Sequence, residues 1–305
     1  MICVKMMGNL GNQLFIYAMA RKMQIMYNED IYIDLSSLKR YYYTANYKLI
    51  NFNIPQEHIT YDKKVLSLKE RLRFNLSSKI FHIEQKISRS IHKSYKSSDR
   101  LTIRWFKHGC FYNFNRFYYD FDYCYSKNKY LYGYFQSTKY FDVIEDILKS
   151  ELVVNSDFDD YDKKMIDLFN KTNSVALSIR TIYDKHGDSF ILDDYYYRAM
   201  DKISELLTNP VFYIFSDNIN NVKKNFKFKY PVVYIEQGES TKQIRLLYNC
   251  KNFILANSTF SWWGAYLSKN NNKVVIMPKP WDKNGKDRED LYLKNSIKIE
   301  CVFEK

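Results

Sequence analysis

Phe253–Ala265 reads Phe-Ile-Leu-Ala-Asn-Ser-Thr-Phe-Ser-Trp-Trp-Gly-Ala: a short apolar run, a polar loop and a second apolar run. This order predicts a buried strand, a turn and a helix. Asn257 lies in the turn. Ser258, Thr259 and Ser261 lie where the helix begins, so their hydroxyls and the unpaired backbone N–H groups face one place. Such a helix end binds phosphate, because the free donors and the helix dipole both favour negative charge. The alternative is an ordinary N-cap that serves only the helix.

The beginning of the chain has the same organisation. A predicted strand, Ile2–Met6, runs into a loop with Gly8 and Gly11. A helical pattern, Leu14–Ala20, and a second predicted strand, Ile31–Ile33, follow. The two glycines permit a tight turn and a close approach of the backbone to a ligand. Asn12 and Gln13 place uncharged donors where the helix begins. The spacing contains neither the Walker lysine nor Gly-x-Gly-x-x-Gly, so neither a P-loop nor a nicotinamide fingerprint is indicated.

The second half of the chain alternates between short apolar runs and helical patterns. Strands are predicted at Val175–Ile179, Val211–Phe215, Val232–Ile235, Phe253–Ala256 and Val274–Met277, and helices at Asp194–Leu207, Ile219–Phe226 and Thr241–Tyr248. This alternation predicts a parallel, doubly wound sheet, in which ligands bind beyond the carboxyl ends of the strands. Arg180, Ser216 with Asp217, and the 257–259 turn each follow a predicted strand. We therefore expect all three to meet in one crevice.

Several segments carry a family resemblance. Residues 8–18 (Gly-Asn-Leu-Gly-Asn-Gln-Leu-Phe-Ile-Tyr-Ala) and 256–265 resemble the first and last motifs of the bacterial α-1,2-fucosyltransferases, glycosyltransferase family 11. Asp194-Tyr195-Tyr196, Phe215–Asn218 and Cys250-Lys251-Asn252 fall between them in the family's order. The resemblance implies an α/β, GT-B-like fold with two Rossmann-type domains facing a cleft. It also implies inverting transfer of L-fucose from GDP-β-L-fucose to the 2-hydroxyl of a galactose-type acceptor, with no cofactor and no metal.

One motif departs from the family. Where the family has His-x-Arg-Arg-x-Asp, this chain has Ser178-Ile179-Arg180-Thr181-Ile182-Tyr183, followed by Asp184. Arg180 matches the arginine that holds the donor diphosphate in the wider group. The departure leaves two alternatives open: a related transferase that uses another sugar nucleotide, and a sugar-nucleotide-binding protein that has lost turnover.

Residue roles follow from the motifs. Arg180 and Asn12 are the predicted catalytic residues, and the predicted donor-binding residues are Gly11, Gln13, Ser178, Asp217, Asn257, Ser258, Thr259 and Ser261. Asp217 either accepts hydrogen bonds from a guanine edge or caps the helix that follows it. Trp262 and Trp263 are interpreted as core residues. No general base is identified, although Asp184 is the carboxylate nearest to Arg180 in sequence.

Two domains are expected. Residues 1–150 form an acceptor-side α/β domain with a basic insertion at about 63–107, and residues 151–305 form the domain that binds the GDP-sugar. The acidic segment Asp157–Asp162 contains Asp-x-Asp spacing, which holds a metal in some glycosyltransferases. A helical pattern follows it, which favours an acidic helix start.

The net charge of +13 is concentrated in one place. Residues 63–107 hold thirteen basic and three acidic residues, with apolar residues at helical spacing between them. The segment is either a surface that docks on anionic membrane, through Arg71, Arg73, Lys86, Arg89 and Lys93, or a solvated helical face. No helix-turn-helix, zinc or RNP pattern supports nucleic acid as a partner. The other expected partners are a GDP-sugar donor and a glycan or lipid-linked oligosaccharide acceptor.

The cellular location is predicted from three observations. The five cysteines are scattered, which is typical of reduced thiols. Lys5 interrupts the first apolar run, and no apolar run approaches the ~20 residues of a membrane span. We expect a cytoplasmic protein, and the membrane-docking alternative for residues 63–107 would make it peripheral on the inner face of the cytoplasmic membrane.

Overall fold

The structure is a computed structural model that describes all residues except 39–46, 63–64, 93–94, 115–117, 122, 182–190, 192, 237, 284–287 and 304–305. The chain divides into two compact units. Unit 1 contains Met1–Ile50 and Ile54–Glu151, and unit 2 contains Asn51–Asn53 and Leu152–Lys305. The predicted boundary after residue 150 and the observed one after Glu151 differ by one residue. In the described part of the chain, no helix has both the length and the hydropathy needed to cross a membrane.

Unit 1 is built on a parallel sheet of five strands. Its elements in chain order are β1 (Ile2–Lys5), α1 (Leu10–Tyr27), β2 (Ile31–Asp34), β3 (Ile59–Thr60), α2 (Leu68–His92), α3 (Tyr95–Lys107), β4 (Cys110–Asn113), β5 (Lys129–Gly133) and α4 (Glu145–Glu151). The strand order is β3-β2-β1-β5-β4, and every neighbouring pair is parallel. The sequence predicted β1, α1 and β2, indicated helical spacing within residues 63–107, where α2 and α3 lie, and assigned no other element of the unit.

A buried carboxylate fixes α1 within unit 1. Glu151, at the end of α4, accepts hydrogen bonds from the Tyr17 hydroxyl at 2.6 Å and from the Arg21 Nη2 at 2.7 Å. Burial, together with this carboxylate, raises the pKa of Tyr17, so Tyr17 stays a neutral donor. The pairing compensates for the cost of removing both charges from water. It holds α1 in place, and with it the loop that precedes this helix.

Unit 2 contains a six-stranded parallel sheet. Its elements are α5 (Asp160–Lys171), β6 (Asn173–Ile179), α6 (Asp193–Leu206), β7 (Pro210–Ser216), α7 (Ile219–Asn225), β8 (Val232–Tyr234), α8 (Ser240–Asn249), β9 (Asn252–Ile254), α9 (Thr259–Leu267), β10 (Val275–Lys279) and β11 (Ile297–Glu300). The strand order is β11-β10-β9-β6-β7-β8. The chain builds outward from β6 on one side and then returns to build on the other. The order therefore reverses between β6 and β9, which is where doubly wound sheets bind ligands.

The predicted doubly wound fold is confirmed. Each of the five predicted strands and three predicted helices of unit 2 is present, with ends shifted by at most two residues. The strands were recognisable because helices cover both faces of such a sheet, and a strand buried on both faces is a continuous apolar run. The sequence analysis did not find β11. Its side chains alternate between half-buried and exposed, which is typical of a sheet edge.

The two tryptophans of α9 lie in the core, as predicted. Both are fully buried, and the Trp262 indole N–H donates to the Leu291 carbonyl at 2.7 Å. The next residue, Gly264, lies directly against α8: a Cβ atom at this position would overlap the Cδ2 and Cγ atoms of Leu247. This helix pair therefore packs closely because residue 264 has no side chain.

The acidic segment before α5 is a helix start, as the sequence favoured. Asp159 is the N-cap of α5, and its carboxylate accepts from the Asp162 N–H at 2.8 Å. Asp162 forms a fully buried ion pair with Arg245, whose guanidinium also donates to the carbonyls of Ser156 at 2.5 Å and Asp157 at 3.2 Å. Among the described residues, no three His, Cys, Asp or Glu side chains are grouped as metal ligands.

The Gly264 contact gives a stability prediction. Gly264→Ala should lower the free energy of unfolding by about 1–3 kcal/mol, because the overlap with Leu247 outweighs the better helix propensity of alanine. Denaturant unfolding monitored by circular dichroism measures this change. Gly238→Ala is the matched control, since a Cβ there would lie 3.6 Å from the Gln243 amide nitrogen. A stabilised Gly264→Ala protein would contradict the described packing.

Candidate functional site

A cavity of about 330 Å³ opens in unit 2 at the carboxyl ends of β6, β7 and β9. The described residues that line it are Ser178, Ile179, Arg180, Phe215, Ser216, Asp217, Gly238, Ser240, Gln243, Ala256, Ser258, Phe260 and Ser261. The set joins the three segments that the sequence placed in one crevice. Its volume falls in the range of small-molecule sites, and polar groups converge on apolar walls.

The loops after β6 and β7 are joined by one carboxylate. Asp217 Oδ1 accepts from the Thr181 backbone N–H at 2.8 Å, from the Thr181 hydroxyl at 3.0 Å and from the Ser216 hydroxyl at 3.3 Å. The cap of α7 is instead Asn218, whose side chain accepts from the N–H of Asn221. The alternative that Asp217 caps this helix is therefore wrong. Asp217 holds Thr181, the residue that follows Arg180. It therefore fixes the backbone position from which the Arg180 side chain extends.

Two helices point uncapped N-termini at the cavity. Ser240 and Ser258, at the starts of α8 and α9, both line it, and the N-cap side chains of these two helices, Glu239 and Ser258, form no capping hydrogen bond. In α5 and α7, which do not contribute to the cavity, a side chain caps the first turn. Open N–H groups carry the positive end of the helix dipole. Two helix N-termini of the kind that binds phosphate therefore face the cavity.

Two polar atoms at the site have no hydrogen-bond partner in the described part of the chain. The Ser178 hydroxyl is buried and lines the cavity, and the Asn257 side-chain oxygen is buried in the adjoining turn. Buried polar groups in folded proteins are nearly always bonded, because an unpaired one costs about 1–3 kcal/mol. The Ser178 hydroxyl is therefore available to a ligand in the cavity.

Side chains beneath the cavity hold its loops. The Ser261 hydroxyl, which the sequence predicted to contact the sugar nucleotide, donates to the Ser258 carbonyl at 3.0 Å. This bond stabilises the turn before α9. The buried Tyr195 hydroxyl of α6 donates to the Leu255 carbonyl at 2.8 Å, directly after β9. The neighbouring Tyr196 hydroxyl lies against the Arg180 backbone, and burial raises the pKa of Tyr196. The sequence analysis singled out both tyrosines only through the resemblance.

The sequence analysis missed Gly238, Ser240 and Gln243. They lie after β8, where Gly-Glu-Ser-Thr opens α8, so the strand, polar loop and helix arrangement recurs there. The Gln243 amide donates to the Glu236 carbonyl at 2.7 Å and closes this loop on itself. The sequence pattern of this loop was present but weak, because one glycine and two hydroxyl residues at a helix start are common.

The predicted residues of unit 1 lie around its first loop. Gly8 has φ +75°, a conformation that favours glycine. Gln13 is fully buried: its amide donates to the Gly8 carbonyl at 3.0 Å and accepts from the Lys48 N–H at 3.0 Å. The Asn12 side-chain oxygen accepts from Gln136 at 2.8 Å. Gln13 thus holds the loop. The contacts of Asn12 and Gln13 with a sugar nucleotide stay predictions.

The remaining predicted residues are placed as follows. Gly11 is buried in the first turn of α1. Thr259 is the first residue of α9, and neither Asn257 nor Thr259 is among the described residues that line the cavity. Asp184 falls in 182–190, outside the described residues. The general base therefore has no candidate that the structure can place.

Comparison with known proteins agrees with these features. The sequence model of glycosyl transferase family 11 matches residues 1–300. An alpha-1,2-colitosyltransferase of Escherichia coli is 27% identical, with 95% of this chain and 94% of that protein covered. The O-antigen biosynthesis glycosyltransferase WbnK of Escherichia coli is 28% identical, with coverages of 90% and 92%.

Solved structures support the fold. The fucosyltransferase NodZ from Bradyrhizobium superposes with a TM-score of 0.51 at 11% identity, covering 87% of this chain and 90% of that one. A second NodZ structure, co-crystallised with GDP, gives a TM-score of 0.50. At this identity the likeness concerns the fold alone, which is of the GT-B type. Because the family match spans nearly the whole sequence, the chain belongs to glycosyltransferase family 11.

Proposed function

We propose that this glycosyltransferase moves L-fucose from GDP-β-L-fucose to the 2-hydroxyl of a galactose-type residue in a surface glycan, with inversion. The observation that carries the proposal is the cavity of unit 2, where Arg180, the unpaired Ser178 hydroxyl and two uncapped helix N-termini meet. Each of these groups suits a nucleoside diphosphate. The O-antigen role of the relative WbnK supports a glycan acceptor.

The chemistry requires stabilisation of a leaving group. As the bond between the sugar and the diphosphate breaks, positive charge develops on the sugar and negative charge on the departing GDP. The guanidinium of Arg180 is a planar fork that can bind two oxygens of a phosphate at once. The starts of α8 and α9 add fixed partial charges that need no reorganisation. These groups take the part that a divalent cation plays elsewhere, so we propose that transfer is independent of metal.

The base of the nucleotide is assigned to the side of the cavity near Asp217. A carboxylate next to a diphosphate would repel it, whereas the N1–H and amino group of guanine are donors that a carboxylate accepts. Phe215 and Phe260 supply apolar surface in the same cavity. Guanine is therefore the base that this arrangement suits best, and NodZ, a protein of the same fold, was co-crystallised with GDP.

Colitose is the second candidate for the transferred sugar, because one of the relatives is an alpha-1,2-colitosyltransferase. Colitose is L-fucose without its 3-hydroxyl, so the two donors share the GDP and the leaving-group chemistry. They differ in one polar group. A site that hydrogen-bonds the 3-hydroxyl would reject colitose strongly, while an apolar site would discriminate weakly.

Nucleotide selectivity tests the guanine assignment. GDP should raise the melting temperature in proportion to the logarithm of its concentration, because it binds only the folded state. UDP and ADP should raise it much less. Ser178→Ala should weaken the GDP effect, since a buried hydroxyl contact is lost, whereas the same change at the exposed Ser150 should not. Equal shifts with all three nucleotides would rule out the guanine assignment and the proposed role of Asp217.

Arg180 is expected to act mainly on the chemical step. Arg180→Ala should lower kcat by about 10²–10³-fold, which corresponds to about 3–4 kcal/mol of transition-state stabilisation, and should raise KM less. Arg180→Lys should recover only part of the lost kcat, because an ammonium group lacks the planar fork of a guanidinium. Steady-state kinetics with GDP release as the readout measures both. The control is Arg198→Ala, an exposed arginine of α6 paired with Asp194. Near-normal turnover of Arg180→Ala would contradict the mechanism.

A further inference from the structure

Helix α2 of unit 1 has two apolar faces. One face packs into the unit: Phe74 and Phe81 are buried against Cys110, Tyr112 and Tyr130. The other face is exposed, and its side chains are between 39% and 67% accessible; they are Leu68, Leu72, Leu76, Ile80, Ile83 and Ile87. We call these six residues the apolar row. An ordinary surface helix has only one such face, so the second one needs an explanation.

The apolar row is continuous along the helix. Its members recur every three or four residues, the spacing that aligns side chains on one side of an α-helix. At 1.5 Å per residue the row runs for about 28 Å. At 3.6 residues per turn it lies roughly opposite Phe74 and Phe81, so it points away from unit 1. A contiguous exposed apolar patch of this kind marks a surface that binds something.

The charges beside the row identify its partner. The basic residues on the same exposed side are Lys69, Arg73, Lys79 and Lys86. The two acids of the described part of the helix are engaged elsewhere: Glu70 binds Asn128 at 2.5 Å, and Glu84 binds Arg104 at 2.8 Å. The row is thus bordered by positive charge. A second copy of this chain would bring two such borders together, which is unfavourable, whereas an anionic surface matches them.

We propose that the exposed face of α2 docks the enzyme flat on an anionic lipid bilayer. The apolar row enters the boundary between headgroups and acyl chains, and the four basic side chains reach the lipid phosphates. Docking is peripheral and reversible, because the helix is held to unit 1 by its buried face. It requires no donor or acceptor, so it stands independently of the sugar that the enzyme transfers.

The structure changes the residues that carry this docking. The sequence analysis chose Arg71, Arg73, Lys86, Arg89 and Lys93. Arg71 is half-buried on the flank of α2, and its Nε is fully buried. The side chains of Arg89 and Lys93 are outside the described residues. Lys69 and Lys79 take their place, and the apolar row is added.

Vesicle binding of the 305-residue chain tests the proposal. Wild type should co-sediment with vesicles of phosphatidylcholine and phosphatidylglycerol at low salt, and much less with phosphatidylcholine alone. Changing Arg73, Lys79 and Lys86 together to Gln should lower the partition coefficient about 100-fold, since each basic residue near an anionic surface contributes about a factor of five. Changing Leu72, Leu76 and Ile83 to Ser should lower it at least tenfold with the charge unchanged.

The matched control removes the same charge elsewhere. Lys163, Lys164 and Lys171 are exposed on α5 of unit 2, and their change to Gln should alter binding less than threefold. Equal losses in both triple-Gln variants would show general charge attraction and overturn the proposal. Thermal unfolding of every variant excludes a folding defect, because the altered side chains lie on the exposed face.

A fluorescent label reports contact directly. All five native cysteines are buried, so Leu76→Cys gives one reactive thiol for an environment-sensitive dye. Anionic vesicles should shift its emission to the blue, while the dye on Val143→Cys, an exposed site of the same unit, should stay unchanged. No shift at position 76 would overturn the proposal. A lipid-free dimer that the Leu72, Leu76 and Ile83 changes dissociate would also overturn it, because the row would then be an interface between copies.

Discussion

The parallel pairing of β6 with both β7 and β9 is the constraint on which the rest of the site depends. The register places Ile179 beside Ser216 and Leu177 beside Ile254. Arg180 therefore leaves the sheet next to Asp217, and the 255–258 turn leaves it on the other side. Because every strand runs the same way, every following helix starts at this edge, and α8 and α9 present their N-termini there. The order of the strands thus sets the chemistry of the cavity.

Electrostatics then divides the cavity into two parts. Arg180 and the N-terminal ends of α8 and α9 are positive, and they favour an anionic group. Asp217 is negative, but three donors from Thr181 and Ser216 satisfy one of its oxygens. In the family motif a second arginine stands where this chain has Thr181. Here the threonine ties the β6 loop to the β7 loop, so it supports Arg180 through position and not through charge.

Most of unit 2 was predictable from sequence, because buried parallel strands and helix starts leave local patterns. Three features were not. Strand β5 begins with Lys129, a buried lysine paired with Glu29, so a charged residue concealed the strand. The backbone bonds of Gln13 require Lys48, a distant partner that no local pattern indicates. The second apolar face of α2 is visible only once the first face is known to be buried.

Turnover with a defined donor tests the central claim most directly. Purified enzyme is incubated with GDP-fucose and a β-galactoside in excess chelator, and both GDP release and the acceptor's mass gain are measured. The account predicts equal amounts of GDP and of product heavier by one deoxyhexose, with a 1,2-linkage by NMR and little turnover with UDP-galactose. GDP binding without transfer from GDP-fucose or GDP-colitose, or transfer that requires a metal, would contradict it.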